Sequence, residues 1–237
     1  MSIRTEKVAV ITGASQGIGA GLVVAYRKLG YNVVATSRNI APSEDSGVLT
    51  VPGDIGDPTT AERVVEAGIE KFGRIDTLVN NAGIFIGKPF TEFTEDDFAR
   101  VLSVNVHGFF HITQQSVPHI LAQGGGHIVQ ITASTAQHAI GASKATLAAL
   151  TKGGLNSVTK ALATEYAEQG IRSNAVALGV IKTPMHDVET HESRGTVNPL
   201  GRMGEVDDVV DAVIYLENAP FVTGVILPVD GGQGAGH

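Results

Sequence analysis

Apolar residues along the chain fall into short β-branched runs, separated by longer segments in which apolar positions recur at roughly helical spacing. The runs lie at 7–12 (KVAVIT), 32–36 (NVVAT), 48–52 (VLTVP), 77–80 (TLVN), 127–132 (HIVQIT), 172–178 (RSNAVAL) and 224–229 (GVILPV). Between them the pattern predicts helices at 18–29, 59–72, 95–122, 147–169 and 206–216, with a long irregular stretch at 182–205. Such alternation is the signature of βαβ units around a parallel sheet. Most runs are apolar at successive positions, so helices must cover both faces. The expected fold class is α/β: one domain over 1–237, a doubly wound sheet of about seven parallel strands with helices on both faces.

Composition removes several alternatives. With 237 residues, 43% of them apolar, the chain can bury one sizeable core. It has no cysteine, which excludes disulfides, thiolate nucleophiles and cysteine-based metal sites. A formal net charge of −7 without a basic stripe argues against nucleic acid or an anionic membrane as partner. No apolar stretch approaches the ~20 residues of a spanning helix, and the first residues lack a signal-peptide pattern. A cytoplasmic protein is the expectation.

In doubly wound sheets ligands bind beyond the carboxyl ends of the strands. There the first run leads into TGASQGIG (12–19), with Gly13, Gly17 and Gly19 preceding a helix that begins near Ile18. Glycines allow a tight turn and close backbone approach, and a helix N-terminus presents free N–H groups to a pyrophosphate. A dinucleotide loop is the reading; a plain strand-to-helix turn is its bland alternative.

The Gly-x-x-x-Gly-x-Gly spacing, NNAG (80–83), GDIGD (53–57), SVNVHG (103–108), GIRSNAVALGVIKTPM (170–185) and FVTGVILPVDGG near the end resemble the short-chain dehydrogenase/reductase family over nearly the whole chain. The resemblance implies a Rossmann-type sheet, a nicotinamide cofactor, a small-molecule substrate, and a homodimer or homotetramer through the helix around 147–169. It further implies that Gly13, Ser15, Gln16, Gly17, Ile18 and Gly19 meet the phosphates and adenosine ribose. Asp54 and Ile55 would flank the adenine, and Asn81, Ala82 and Gly83 would line the cofactor. Gly179, Ile181 and Thr183 would meet the nicotinamide end, with Leu178 standing where the family usually has proline. At the end of the second run an acidic residue would favour NAD(H). This chain has Arg38, whose guanidinium suits a 2′-phosphate, so NADP(H) is favoured over NAD(H).

The family places a tyrosine four residues before a lysine on one helical face. Lys144 sits in a tempting Ala-Ser-Lys context, but ALATE (161–165) ends thirteen residues past Lys152, which is the family spacing, so Lys152 is assigned to the cofactor and catalytic site. Four residues before Lys152 stands Ala148, and four before Lys144 stands Ile140; neither moves a proton. The four tyrosines, Tyr26, Tyr31, Tyr166 and Tyr215, belong to other elements or a distant part of the helix. The family's serine position falls on Ala133, between Thr132 and Ser134, and a shift of one residue would bring Ser134 in. Asn105 matches the family's asparagine.

A general acid is worth ~10²–10⁴-fold, so another donor is needed for ordinary ketone reduction. Ser134, Thr135, His138 and His186 are the candidates, and His138 is favoured because histidine titrates near neutrality. The segment 185–192 holds His186, His191 and several acids. Their spacing lacks the helical zinc pair, so no metal is expected; a solvated substrate lid is, whose acids weigh slightly against an anionic substrate. Small residues at 142, 143, 145, 148, 149, 153 and 154 suit close approach of a partner helix or burial against the sheet. Two functions stay open: an NADP(H)-dependent oxidoreductase interconverting carbonyl and alcohol with an altered proton donor, which is preferred, or a catalytically silent relative acting as a dinucleotide sensor or scaffold.

Overall fold

The computed structural model describes residues 6–139, 143–196 and 198–235; Ile140 and Ala142 lie outside them. Seven strands, β1 (Val8–Thr12), β2 (Asn32–Ser37), β3 (Val48–Pro52), β4 (Thr77–Asn80), β5 (Gly126–Ala133), β6 (Ile171–Leu178) and β7 (Ile226–Val229), form one sheet. Every neighbouring pair is parallel, in the order β3-β2-β1-β4-β5-β6-β7. The order reverses between β1 and β4, which opens a crevice at their carboxyl ends.

The helices are α1 (Gly17–Lys28), α2 (Pro58–Phe72), α3 (Glu95–Leu102), α4 (Gly108–Ala122), α5 (Thr146–Glu165), α6 (His191–Gly195) and α7 (Val206–Asn218). Their ends follow local chemistry. Asp57 accepts from Thr59 N ahead of α2, whose first residue is proline and which ends at Gly73 with φ 77°. Thr94 and Asp97 form a capping box at α3. Residues of β1 alternate between the two layers: Ala9 and Ile11 join Leu22, Val209 and Val213 beside α1 and α7, while Val8 and Val10 join Val64, Ile112 and Ile120 beside α2 and α4.

One expectation gains a detail and two need correction. The segment 95–122 is helical throughout, as expected, but residues Ser103–His107 widen into a π turn between α3 and α4. The last strand starts at Ile226 rather than 224, since Gly224 takes φ 73° and its N–H bonds Ser173 O in a turn. The irregular stretch 182–205 contains the short α6.

At the edge of the sheet away from the crevice, Glu217 of α7 is buried and accepts hydrogen bonds from Tyr26 (3.0 Å), Tyr31 (2.8 Å) and Thr77 (3.1 Å), with His127 Nδ1 at 2.9 Å. Burial pushes its carboxyl up, but these donors outweigh that and hold it at about 2. His127 is pushed down by the same burial against the pull of Glu217. Asn174 Nδ2 lies 3.0 Å from His127 Nε2, while Asn174 Oδ1 accepts from Val225 N. A neutral Nδ1–H imidazole satisfies all of these contacts. No helix of the described residues is long and apolar enough to cross a membrane.

Candidate active site

The loop after β1 turns through Gly13 (φ 65°) and Gly17 (φ 54°), conformations that disfavour any side chain. A Cβ on Gly13 would lie 2.9 Å from Ala82 Cα, so the loop packs directly on the exit of β4. Asn81 staples the two together, donating from Nδ2 to Thr12 O (2.9 Å) and Gly13 O (3.2 Å), while Thr12 Oγ1 accepts from the amides of Asn81 and Ala82.

Above this floor runs a cleft of about 1020 Å³. Gly13, Ser15, Gln16, Gly17, Ile18, Arg38, Asp54, Ile55, Asn81, Ala82, Gly83, Ser134, Lys152, Gly179, Ile181 and Thr183 all line it. Two expected residues stand behind the wall instead. A Cβ on Gly19 would fall 2.2 Å from Gly13 O, so packing of α1 on the loop, rather than reach toward a ligand, is what requires glycine there. Asn105 sits in the π turn, where Oδ1 accepts from Ile84 N (2.9 Å) and Nδ2 donates to Ile84 O (3.1 Å) and Thr151 Oγ1 (3.2 Å). It ties the segment after β4 to the widened helix and to α5.

Lys152 projects from α5 and donates from Nζ to Ile131 O at 2.7 Å. Burial pushes its ammonium down to about 8. A Cβ on Gly83 would come within 3.0 Å of that nitrogen, so glycine at 83 keeps room for it. One helical turn before, Ala148 reaches the same cleft with a methyl group. Lys144 lines the cleft too, but from the segment ahead of α5, with φ 46°, so the two lysines share no helix.

No tyrosine is among the lining residues. Tyr26 and Tyr31 are held by Glu217, Tyr166 follows α5, and Tyr215 is exposed on α7. Of the other donor candidates, Ser134 is buried and donates to Gln233 Oε1 at 3.2 Å. Thr135 and His186 line the cleft. Burial, then Arg194 and His191, push the His186 imidazole down. His138 does not line it; its ring packs where a Cβ on Gly234 would come within 2.7 Å.

Several lining residues were not singled out from sequence. Thr36 and Ser37 close β2 beside Arg38, and both hydroxyls are buried without a hydrogen-bond partner. Two small polar residues at a strand's carboxyl end were the available signal. Phe85 and Gln233 carried none, because the first follows an irregular segment and the second arrives from the tail beyond β7.

Sheet order, crevice and glycine loop define the class of a doubly wound nucleotide-cleft protein. The family model described as Enoyl-(Acyl carrier protein) reductase matches residues 13–233. The chain is 35% identical to the 3-oxoacyl-(acyl-carrier-protein) reductase of Thermotoga maritima, covering 95% of this chain and 97% of that protein. It is 35% identical to the L-fucose dehydrogenase of Mus musculus, over 98% and 89% of the two. Among solved structures, a 3-ketoacyl-(acyl-carrier-protein) reductase from Brucella melitensis complexed with NADH superposes with a TM-score of 0.91 at 33% identity, covering 96% of this chain and 98% of that one. ElxO with NADP bound gives 0.91 at 29% identity, covering 98% and 100%. The chain therefore belongs to the short-chain dehydrogenase/reductase family, a family of oxidoreductases.

Proposed function

We propose that the chain is an NADP(H)-dependent oxidoreductase that interconverts a carbonyl and an alcohol with Lys152, not a phenol, as proton donor. The observation that carries this reading is the Lys152 ammonium on the cleft wall with only the Ala148 methyl one turn before it. A bound nicotinamide dinucleotide would supply the hydride. The glycine cradle fits its pyrophosphate, and the guanidinium of Arg38, on the cleft wall just past β2, fits a 2′-phosphate better than a bare ribose hydroxyl.

Lys152 Nζ has three N–H donors and spends one on Ile131 O, which leaves two for the cleft. In reduction, one of these protons passes to the substrate oxygen as negative charge develops there, and the amine recovers it from water in the open cleft. Ser134, oriented by Gln233, offers lone pairs to the same region, and Asn105 sets the path of residues 84 and 151 around it. A homodimer or homotetramer through α5 is supported by Gly154, where an added Cβ would meet no atom within 4 Å, and by the exposed Leu150.

A catalytically silent relative is the second reading, favoured by the coincidence of Ala148 and Ala133 at two positions where polar groups are expected. Turnover of NADPH with a broad carbonyl panel, compared with Ala148→Tyr, separates the two. We expect measurable wild-type reduction, raised by no more than the ~10²–10⁴-fold of a general acid in the variant. Reduction by Ala148→Tyr alone would sink the Lys152 donor and leave the silent reading.

A further inference from the structure

We infer that the substrate end of the cleft takes a carbonyl compound bearing a carboxylate, and that Lys144 seats that carboxylate. The inference rests on the oxidoreductase reading above and names its substrate class. The lining residues include four cations, Arg38, Lys144, Lys152 and Arg194, and one carboxylate, Asp54, although the chain as a whole carries −7. The charges are also divided by place. Arg38 and Asp54 follow β2 and β3, at one end of the sheet order. Lys144 lies beside the segment after β4, since a Cβ on Gly87 would meet both Phe85 (3.1 Å) and Ser143 O (3.4 Å), and Arg194 lies on the lid after β6. No acid among the described residues lines this second end.

The lid acids that weighed against an anionic substrate in the sequence do not face it: Asp187, Glu189 and Glu192 are exposed and off the wall. His186, on this wall, is pushed down by burial first and then by Arg194 and His191, which together outweigh the opposing Asp187. Lys144 is also, among the described residues, the one non-glycine with a left-handed φ, 46°. L-residues take that conformation at a cost, and such residues gather at ligand clamps. Glycine or asparagine would relieve the strain, yet the position carries a charge. No salt bridge among the described residues includes it. Phe85 and Met185, both partly exposed on the same wall, suit an apolar body attached to the acid.

The test is calorimetric titration of phenylglyoxylate, its methyl ester and phenyl phosphate into the protein, both alone and saturated with NADP⁺. We expect the acid to bind at least about tenfold more tightly than the ester, about 1.4 kcal/mol, with the advantage weakened by salt. Lys144→Gln and Lys144→Gly, the latter free of backbone strain, should bring the two within about threefold, and Lys144→Arg should restore the difference. NADP⁺ affinity, measured first, should be the same in all variants; its loss in the wild type would strike the cofactor reading while the titrations without cofactor still judge the anion site. Equal binding of acid and ester, absence of acid binding, or full acid affinity in Lys144→Gly overturns the inference. Tighter binding of phenyl phosphate than of the acid overturns the carboxylate assignment.

Discussion

Lys152 is a buried cation whose proton is held more weakly in the folded chain than in water, at about 8 instead of 10.5. The unfolded chain therefore binds more protons between those values, and this group's contribution to stability rises with pH across the window. With Lys152 as the proposed donor, activity is expected to move the other way, because the ammonium is lost as pH passes about 8. We expect NADPH-driven carbonyl reduction to fall with a single ionisation near that pH, and Lys152→Met to abolish turnover while its melting temperature holds or rises. A flat profile from neutrality to pH 10 would remove Lys152 as donor. The family resemblance pointed to this residue, since the thirteen positions to Glu165 match the family's spacing and need no coordinates to count. Whether Ser134 or His138 shared its cleft was not countable, because a loop's path depends on what it packs against: Gln233 holds Ser134 inward and Gly234 receives His138 away from the wall.

Among the elements, the strands and glycine turns were legible, because apolar runs and φ-positive positions are local signals. The π turn at 103–107 was not, since it arises when Asn105 bonds the backbone of Ile84 and the hydroxyl of Thr151, contacts from two distant segments. Helix α5 shows a different limit. Gly153 and Gly154 each cost about 1 kcal/mol against alanine in mid-helix, and neither is required by a neighbour closer than 4.0 Å. A second chain approaching this face would explain them. Gly154→Leu should shift sedimentation or light scattering toward the monomer, whereas a wild type that is already monomeric removes the α5 interface.

Across the whole molecule, the sheet is open at its carboxyl edge and locked at the other by Glu217, which joins α1, β4, β5 and α7. Its carboxyl falls from 4.5 to about 2 on folding. The stability it adds is present above pH 4.5 and is lost as pH falls toward 2. Replacing Glu217 by alanine strands Tyr26, Tyr31, Thr77 and His127, and we expect a loss of about 3–5 kcal/mol in urea unfolding, with a smaller acid dependence than the wild type. A loss under about 1 kcal/mol would show that the donors find other partners.

The Ser134 contact joins the middle of the chain to its last residues. Shortening the protein just after Val229 would leave all seven strands intact while stripping the buried Ser134 hydroxyl of its acceptor. Damage from such trimming would register at the heart of the crevice, and the apparent periphery of this polypeptide is in that sense an interior part.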